Sequence, residues 1–349
     1  MKRSLLLSTQ GRSRRVSRPW AVKAPGRGKC RAPISTGFAA NPVPQPQLRA
    51  GESVRDGLVR IAAEWVRMAL AKVDREGGTS AAEDLHQVRV TVKRLRALLR
   101  LVRPVIGRSF FRRENARLKR ITNRLSPFRD AVVSRRTLEN LALKAPDKRD
   151  RKAISLLLQR ASRVRQDPIQ FEEQRAAAMT RVRRDFLVSA DNFENMLLPA
   201  EEWNAVGPGL GDMYRRARNR MLLAVRRGTD EAFHEWRKQV KHLYYQLQLL
   251  RPASPERVGV MISQLRDLEE CLGRDHDLTV AAQVLTEYAQ APGGRQALRR
   301  AVALLDKRRG KLRREGEALG RQFFHDKPGR FGARLNRDWV AWRTAGALS

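Results

Sequence analysis

The sequence predicts an all-α protein that was built by duplication. Beyond residue 52, apolar residues recur three and four positions apart among charged ones, which is the period of an amphipathic helix. No segment shows the convincing alternation of apolar and polar residues that marks a half-buried β-strand. A motif of the first half also returns in the second half after 148 residues, so the two halves are expected to share their helices.

Six helices are predicted in the first half, and glycine pairs or prolines separate them. Their ranges are 53–73, 80–103, 109–125, 129–143, 148–165 and 171–186, with breaks at 77–78, 104, 127, 146 and 168. Ser80 and Glu83 have the spacing of a capping box, and Thr229 and Asp230 precede the corresponding helix of the second half. Residues 197–212 are rich in proline and glycine and predict a hinge between two halves, 52–200 and 201–349, that form one domain.

The repeated motif is His-x-x-Arg-x-x-x-Lys, and each copy lies on a helix that is almost free of acidic residues. The motif residues are His86, Arg89 and Lys93 in the first copy, and His234, Arg237 and Lys241 in the second. The offset of 148 also maps Lys152 onto Arg300 and Arg160 onto Arg308. The two halves therefore place their cations alike.

The chain is strongly basic, with 72 Lys and Arg residues against 36 Asp and Glu residues, a formal net charge of +36. A compact fold with this charge repels itself, which predicts a polyanionic partner such as nucleic acid, an anionic membrane surface or another polyanion. Residues 1–51 carry eleven of the cations and no acidic residue, and they predict a disordered basic tail. A transit peptide and a start codon placed too early are alternatives for this segment.

The cysteines and the hydropathy of the sequence predict where in the cell the protein is located. Cys30 and Cys271 are the only cysteines and lie far apart, which offers neither a disulfide framework nor a zinc site of paired cysteines. No stretch of the sequence has the 18 or more apolar residues of a membrane span. These features predict a cytoplasmic protein.

A helical wheel separates the first motif helix into two neighbouring stripes. His86, Arg89, Lys93 and Arg96 share one arc with Arg100 and Arg103, at ~100° per residue. The apolar stripe beside that arc, which is expected to face the core, is Val88, Val92, Leu95, Leu99 and Val102. The corresponding apolar stripe of the second copy is Trp236, Val240, Leu243, Leu247 and Leu250.

The cationic stripe predicts an anion-binding surface rather than a solvated helix face. Residues 85–113 contain nine Lys or Arg residues and no Asp or Glu residue. Like charges at helical spacing cost about 0.2–0.5 kcal/mol per pair, and a surface that only confers solubility normally mixes both signs. The remaining alternative for the two histidines is a structural role, with each ring hydrogen-bonded within the core.

A phosphate chain is the anion that suits these residues best. Arginine forks and lysine ammonium groups bind phosphate oxygens through charge-assisted hydrogen bonds, and histidine adds a further donor. A histidine among many cations disfavours its protonated form until an anion arrives, so anion binding should raise its proton affinity.

The two motif helices, together with the elements Leu125-Ser-Pro-Phe-Arg129-Asp130 and Leu272-Gly-Arg-Asp-His276-Asp277, resemble the conserved-histidine α-helical domain, or CHAD, family from about residue 52 onwards. The resemblance implies two four-helix-bundle halves related by pseudo-twofold symmetry around a basic central groove. It also implies binding of inorganic polyphosphate, and association with polyphosphate granules. The residues that it assigns to the polyanion are His86, Arg89, Lys93, Arg96, Arg129, Lys152, Arg160, His234, Arg237, Lys238, Lys241, His276, Arg300 and Arg308.

Catalysis and metal binding are not expected. The five histidines are scattered, no acidic cluster suits magnesium, and no phosphate loop or nucleophile elbow is present. The protein is therefore predicted to be a non-catalytic polyphosphate-binding protein without a cofactor, of unassigned oligomeric state. The alternative is sequence-nonspecific nucleic-acid binding, which is weaker because interleaved aromatic residues for base stacking are missing.

Overall fold

The computed structural model describes residues 45–75, 81–143, 147–148, 151–152, 155, 168–288 and 294–347. Regular structure is helical throughout these ranges, which confirms the all-α prediction. The helices are α1 (Val54–Val73), α2 (Ala81–Leu101), α3 (Arg108–Leu143), α4 (Pro168–Glu194), α5 (Glu202–Arg227), α6 (Asp230–Leu250), α7 (Pro255–Tyr288), α8 (Gly294–Phe323) and α9 (Pro328–Ala347). Residues 1–44 of the predicted disordered tail, the Ser80 cap and most of the predicted helix at 148–165 lie outside the described residues. The last residues of the predicted tail pack on the fold: Leu48 is 3% exposed, and its backbone N–H donates a hydrogen bond to the Leu249 carbonyl.

Side-chain caps and a left-handed glycine set three of the helix ends. The Ser53 hydroxyl accepts a hydrogen bond from the Asp56 backbone N–H at the start of α1. Thr229 caps α6 in the same way through Ala232, which confirms the predicted start of the second motif helix. Gly228, with φ of 67°, ends α5 in the left-handed conformation that glycine adopts without a steric penalty.

The predicted break at Pro127 is wrong, because α3 continues through this residue. Proline removes one backbone hydrogen bond of a helix, but packing on both sides can hold the helix together. Leu125 and Phe128 are buried beside the proline, and the Phe128 ring meets Phe171 of α4 edge-on at 5.3 Å between centroids. Tertiary contacts therefore override the local signal.

The predicted hinge at 197–212 is also wrong over most of its length, because α5 begins at Glu202. Gly209 explains why this glycine-rich stretch is helical: a Cβ atom at this position would overlap the backbone carbonyl of Leu101 in α2. The glycine permits a close helix–helix approach rather than a flexible turn. Only the segment between α4 and α5 remains as a connection between the halves.

The sequence repeat extends to the helix boundaries. Helices α1, α2 and α3 begin at residues 54, 81 and 108, and α5, α6 and α7 begin at 202, 230 and 255, which gives offsets of 148, 149 and 147. Both predicted apolar stripes are buried, as expected: Val88 and Leu95 of α2 and Trp236 and Leu243 of α6 are 0% exposed.

Four helices form the centre of the molecule. Helix α2 packs against α3 and α6, and α7 packs against α6 and α3, so these helices form a closed ring of contacts. The buried apolar residues of both halves belong to one continuous cluster. The two motif helices are therefore direct neighbours. Among the described residues, no helix combines the length and the apolar character needed to cross a bilayer.

Candidate anion-binding site

The cationic stripe of α2 lies along α3. The Arg89 guanidinium donates hydrogen bonds to the Ser126 hydroxyl at 3.2 Å and to the Thr122 carbonyl at 3.5 Å. Arg96 Nε donates to Asn115 Oδ1 at 3.3 Å. These hydrogen bonds are accepted by neutral oxygens, so they orient the guanidiniums without themselves cancelling charge. His86 and Lys93 of the same stripe are half-buried.

The two motif helices meet where the first stripe ends. Gln246 Nε2 of α6 donates a hydrogen bond to the Ala97 carbonyl of α2 at 3.0 Å, in a fully buried contact. His242 of α6 lies at this crossing, close enough to Arg96 and Arg100 for both cations to lower its pKa. We call Arg96, Arg100, Arg216 and His242 the central cation cluster.

The central cation cluster is electrostatically strained. Burial, and after it the neighbouring charges of Arg96, Arg103 and Arg216, together lower the pKa of Arg100 to about 9. Burial also lowers the pKa of Arg96. The pKa of His242 lies well below its usual value, first because the ring is buried and then because Arg100 and Arg96 repel a proton. An anion placed here would relieve desolvation and repulsion together.

The histidine of the cluster also has an unused hydrogen-bonding atom. His242 is 9% exposed, and its Nδ1 is buried without a hydrogen-bond partner among the described residues. A buried polar atom of this kind costs free energy in the empty protein. Protonation in the presence of an anion would turn the ring into a cation among ligand oxygens.

The second copy of the motif contains an internal carboxylate that was not predicted. Glu269 of α7 is fully buried, and its Oε1 lies 2.8 Å from Lys241 Nζ and 3.2 Å from Arg237 Nη2. One negative charge thus serves two cations, which leaves the group with a net positive charge. Helices α3 and α7 are related by an offset of 147, so the position that corresponds to Glu269 in the first half is Thr122, and the first copy lacks this carboxylate. The two stripes are therefore chemically different.

The predicted pair of His234 and His276 is brought together by α6 and α7. Their Nδ1 atoms are 3.3 Å apart and their ring centroids 4.6 Å apart. Burial lowers the pKa of His234, and Lys238 and Arg237 lower it further. Among the described residues, no group of three or more His, Cys, Asp or Glu side chains could hold a metal ion.

The other predicted residues are less closely joined to the centre. Lys238 forms an ion pair with Glu235 one turn away. Arg300 and Arg308 are half-buried on α8, where burial lowers the pKa of Arg308, and Lys152 is exposed. Arg129 lies within α3, but its side chain is outside the described residues, as is the whole of Arg160.

Sequence reasoning did not select three members of the central region. Arg100 belongs to the predicted stripe but was not chosen as a ligand. His242 stands outside the repeated motif, and Arg216 follows directly after the segment that was taken for a hinge. For Arg216 the available signal was the acid-free run of arginines from 215 to 227.

Comparison with known proteins agrees with this architecture. A family model described as the CHAD domain matches residues 60–286, which is more than half of the chain. The chain belongs to the CHAD domain family. Its structure is similar to the crystal structure of the CHAD domain from the plant Ricinus communis, with 19% sequence identity and a TM-score of 0.52. The match covers 83% of this chain and 97% of the plant domain, and it shows a shared fold. No curated protein matches the sequence.

Proposed function

We propose that this CHAD domain protein binds inorganic polyphosphate and does not catalyse its conversion. The observation that carries the proposal is the central cation cluster, where Arg96 and Arg216 repel the charge of Arg100 beside the ring of His242, whose pKa lies well below its usual value. A polyanion gains most at such a position, because its charge replaces repulsion with charge-assisted hydrogen bonds. Such a protein would act in the cytoplasm and on polyphosphate granules.

Shape favours a thin polyanion over a duplex. The cationic stripe lies between packed helices, with Arg89 8% exposed and Arg96 and Arg100 half-buried. A single phosphate chain can follow such a stripe, whereas a nucleic-acid duplex presents its phosphates on a wide cylinder. The groups of the cluster are cations and an imidazole with a low pKa, which hold phosphate but supply no metal-activated nucleophile for attack on it. These features support binding without catalysis.

The first test is a competition between polyanions. A labelled RNA duplex is bound to the protein at physiological salt, and unlabelled long-chain polyphosphate is titrated in during a gel-shift assay. We expect polyphosphate to displace RNA at equal phosphate concentration, because only the flexible chain reaches the half-buried cations. RNA that stays bound in excess polyphosphate would contradict the proposal and favour nonspecific nucleic-acid binding.

Polyphosphate binding should also be coupled to proton uptake. His242 has a pKa well below 6.5 in the free protein, and a bound polyanion favours the imidazolium and raises that pKa. Binding should therefore take up a proton at pH values between the free and the bound pKa, and affinity should rise as the pH falls from 8 towards 5.5. Calorimetric titrations in two buffers of different ionisation enthalpy measure this uptake directly.

The control for proton coupling is the variant His242→Phe, which keeps a ring at the helix crossing. It should bind polyphosphate with less proton uptake than the parent, whereas His325→Phe in the exposed turn after α8 should match the parent. Equal proton uptake in all three proteins would show that the cluster histidine does not respond to the ligand. The free parent protein should in addition lose stability as the pH falls below 6.5, since the unfolded chain then binds a proton that folded His242 does not.

A further inference from the structure

A second basic surface lies on α5, next to the central cation cluster. Arg216, Arg220 and Arg226 line a groove of 580 Å³ together with Asn219 of the same helix and Gln239 of the adjoining helix α6. The three arginines are exposed, and within the described residues none of them pairs with a carboxylate. Their spacing along the helix covers ten residues, or ~15 Å. The groove is therefore an elongated surface of unneutralised charge.

The groove is continuous with the central cation cluster. Arg216 belongs to both, since it lines the groove and also helps to lower the pKa of Arg100. Leu222 and Leu223 form the apolar part of the lining. An anion bound in the cluster could thus continue along α5 without crossing a neutral gap.

Comparison of the two halves shows that this surface is particular to the second. At the corresponding place in the first half, Lys72 and Arg75 lie 3.0 Å and 3.6 Å from the carboxylate of Asp84. Lys72 occupies the repeat position of Arg220, and Asp84 that of Ala232, so the second half lacks the carboxylate. Arg216 in turn corresponds to Met68. The second half has more positive charge here, and no carboxylate in the described part of the chain pairs with Arg216, Arg220 or Arg226.

We propose that the α5 groove extends the polyphosphate site, so that a chain anchored on the central cation cluster continues past Arg220 to Arg226. The inference rests on the proposed function and adds a preference for chain length. Short chains fill the cluster alone, whereas long chains gain additional contacts in the groove. The groove therefore discriminates long polyphosphate from short polyphosphate on one side of the molecule.

The test uses the full chain with two probes, tripolyphosphate and long-chain polyphosphate. The groove variant is Arg220→Ala/Arg226→Ala, and the matched control is Arg227→Ala/Arg337→Ala, which removes two exposed arginines outside the groove. Thermal unfolding confirms that each variant is folded. We expect the groove variant to bind long chains about tenfold more weakly than the control and to bind tripolyphosphate within about twofold of it. For long chains, the slope of the logarithm of the binding constant against the logarithm of the salt concentration should become less steep by about 1.4. Each lost contact to a flexible polyanion contributes about 0.7 to that slope.

Each outcome distinguishes the groove from the primary site. If the groove variant matches the control with long chains while the parent binds both probes, the groove inference is wrong and the proposed function stands. If the groove variant loses tripolyphosphate as strongly as long chains, the groove is part of the primary site and the length preference is wrong. If the parent binds neither probe, the proposed function is wrong and the groove inference falls with it.

Discussion

Replacement of Arg96 and Arg100 by methionine is expected to weaken polyphosphate binding ~100-fold or more, since two charge-assisted contacts of roughly 1.5–3 kcal/mol each are removed. The same change should stabilise the free protein. Burial lowers the pKa of both arginines, and the positive charges of Arg103 and Arg216 also lower that of Arg100. Keeping these two side chains charged in the folded protein therefore costs free energy. Methionine keeps the apolar stem that packs beside α3 and removes this cost.

The two effects are measured separately, by isothermal titration with long-chain polyphosphate and by thermal unfolding without ligand. A gain of roughly 1 kcal/mol in the free energy of unfolding is expected, by analogy with other buried charges replaced by apolar groups. The control is Arg181→Met/Arg184→Met on α4, which removes two exposed cations that belong to no predicted stripe. It should change affinity less than threefold and leave stability almost unchanged. A central variant that loses stability as well as affinity would show that the arginines mainly hold α2 against α3.

This opposition between stability and binding follows from features that the sequence already shows. The helical wheel of α2 placed Arg89 and Arg96 beside an apolar stripe, and the structure buries that stripe at 0% exposure. Period and composition alone are sufficient for this inference, because they decide which face of a helix turns inward. The all-helical fold and the family were predicted for the same reason: long amphipathic helices and a repeated motif are strong local signals.

The features that sequence reasoning missed depend on contacts between distant residues. By local rules, Pro127 and Gly209 both predict a break in a helix. In the structure, aromatic packing beside Pro127 holds it within α3, and Gly209 allows α5 to approach Leu101 closely. Glu269 lies 32 residues after Arg237 and on another helix. A helical wheel of α6 therefore could not show that this carboxylate pairs with Arg237 and Lys241. His242 became a site residue only when α2 and α6 crossed beside it. The period of the apolar residues thus predicts which face of a helix is buried, and the packing of the helices decides which residues that face contacts.

The substitution Glu269→Gln is expected to have the largest effect on stability and the opposite effect on binding. Glu269 is fully buried between Arg237 and Lys241, whose side chains are each 10% exposed. Without its charge, two buried cations lose their counterion, which costs roughly 3 kcal/mol or more of folding free energy. Polyphosphate would then meet two cations for which the Glu269 carboxylate no longer competes, and its affinity should rise about tenfold.

Denaturant unfolding and isothermal titration measure these two changes, and Glu317→Gln is the matched control. Glu317 pairs with Arg321 on the exposed face of α8 at 2.7 Å, so its loss changes the net charge equally but should cost below ~1 kcal/mol. Because the stabilisation of the folded state by a ligand grows with the logarithm of its affinity, excess polyphosphate at one fixed concentration should restore more stability to Glu269→Gln than to the control. Equal affinity in the two variants would mean that Arg237 and Lys241 serve only the buried carboxylate. In that case the phosphate chain would be bound by the first stripe and the central cation cluster, and the two copies of the motif would have diverged into a binding helix and a structural helix.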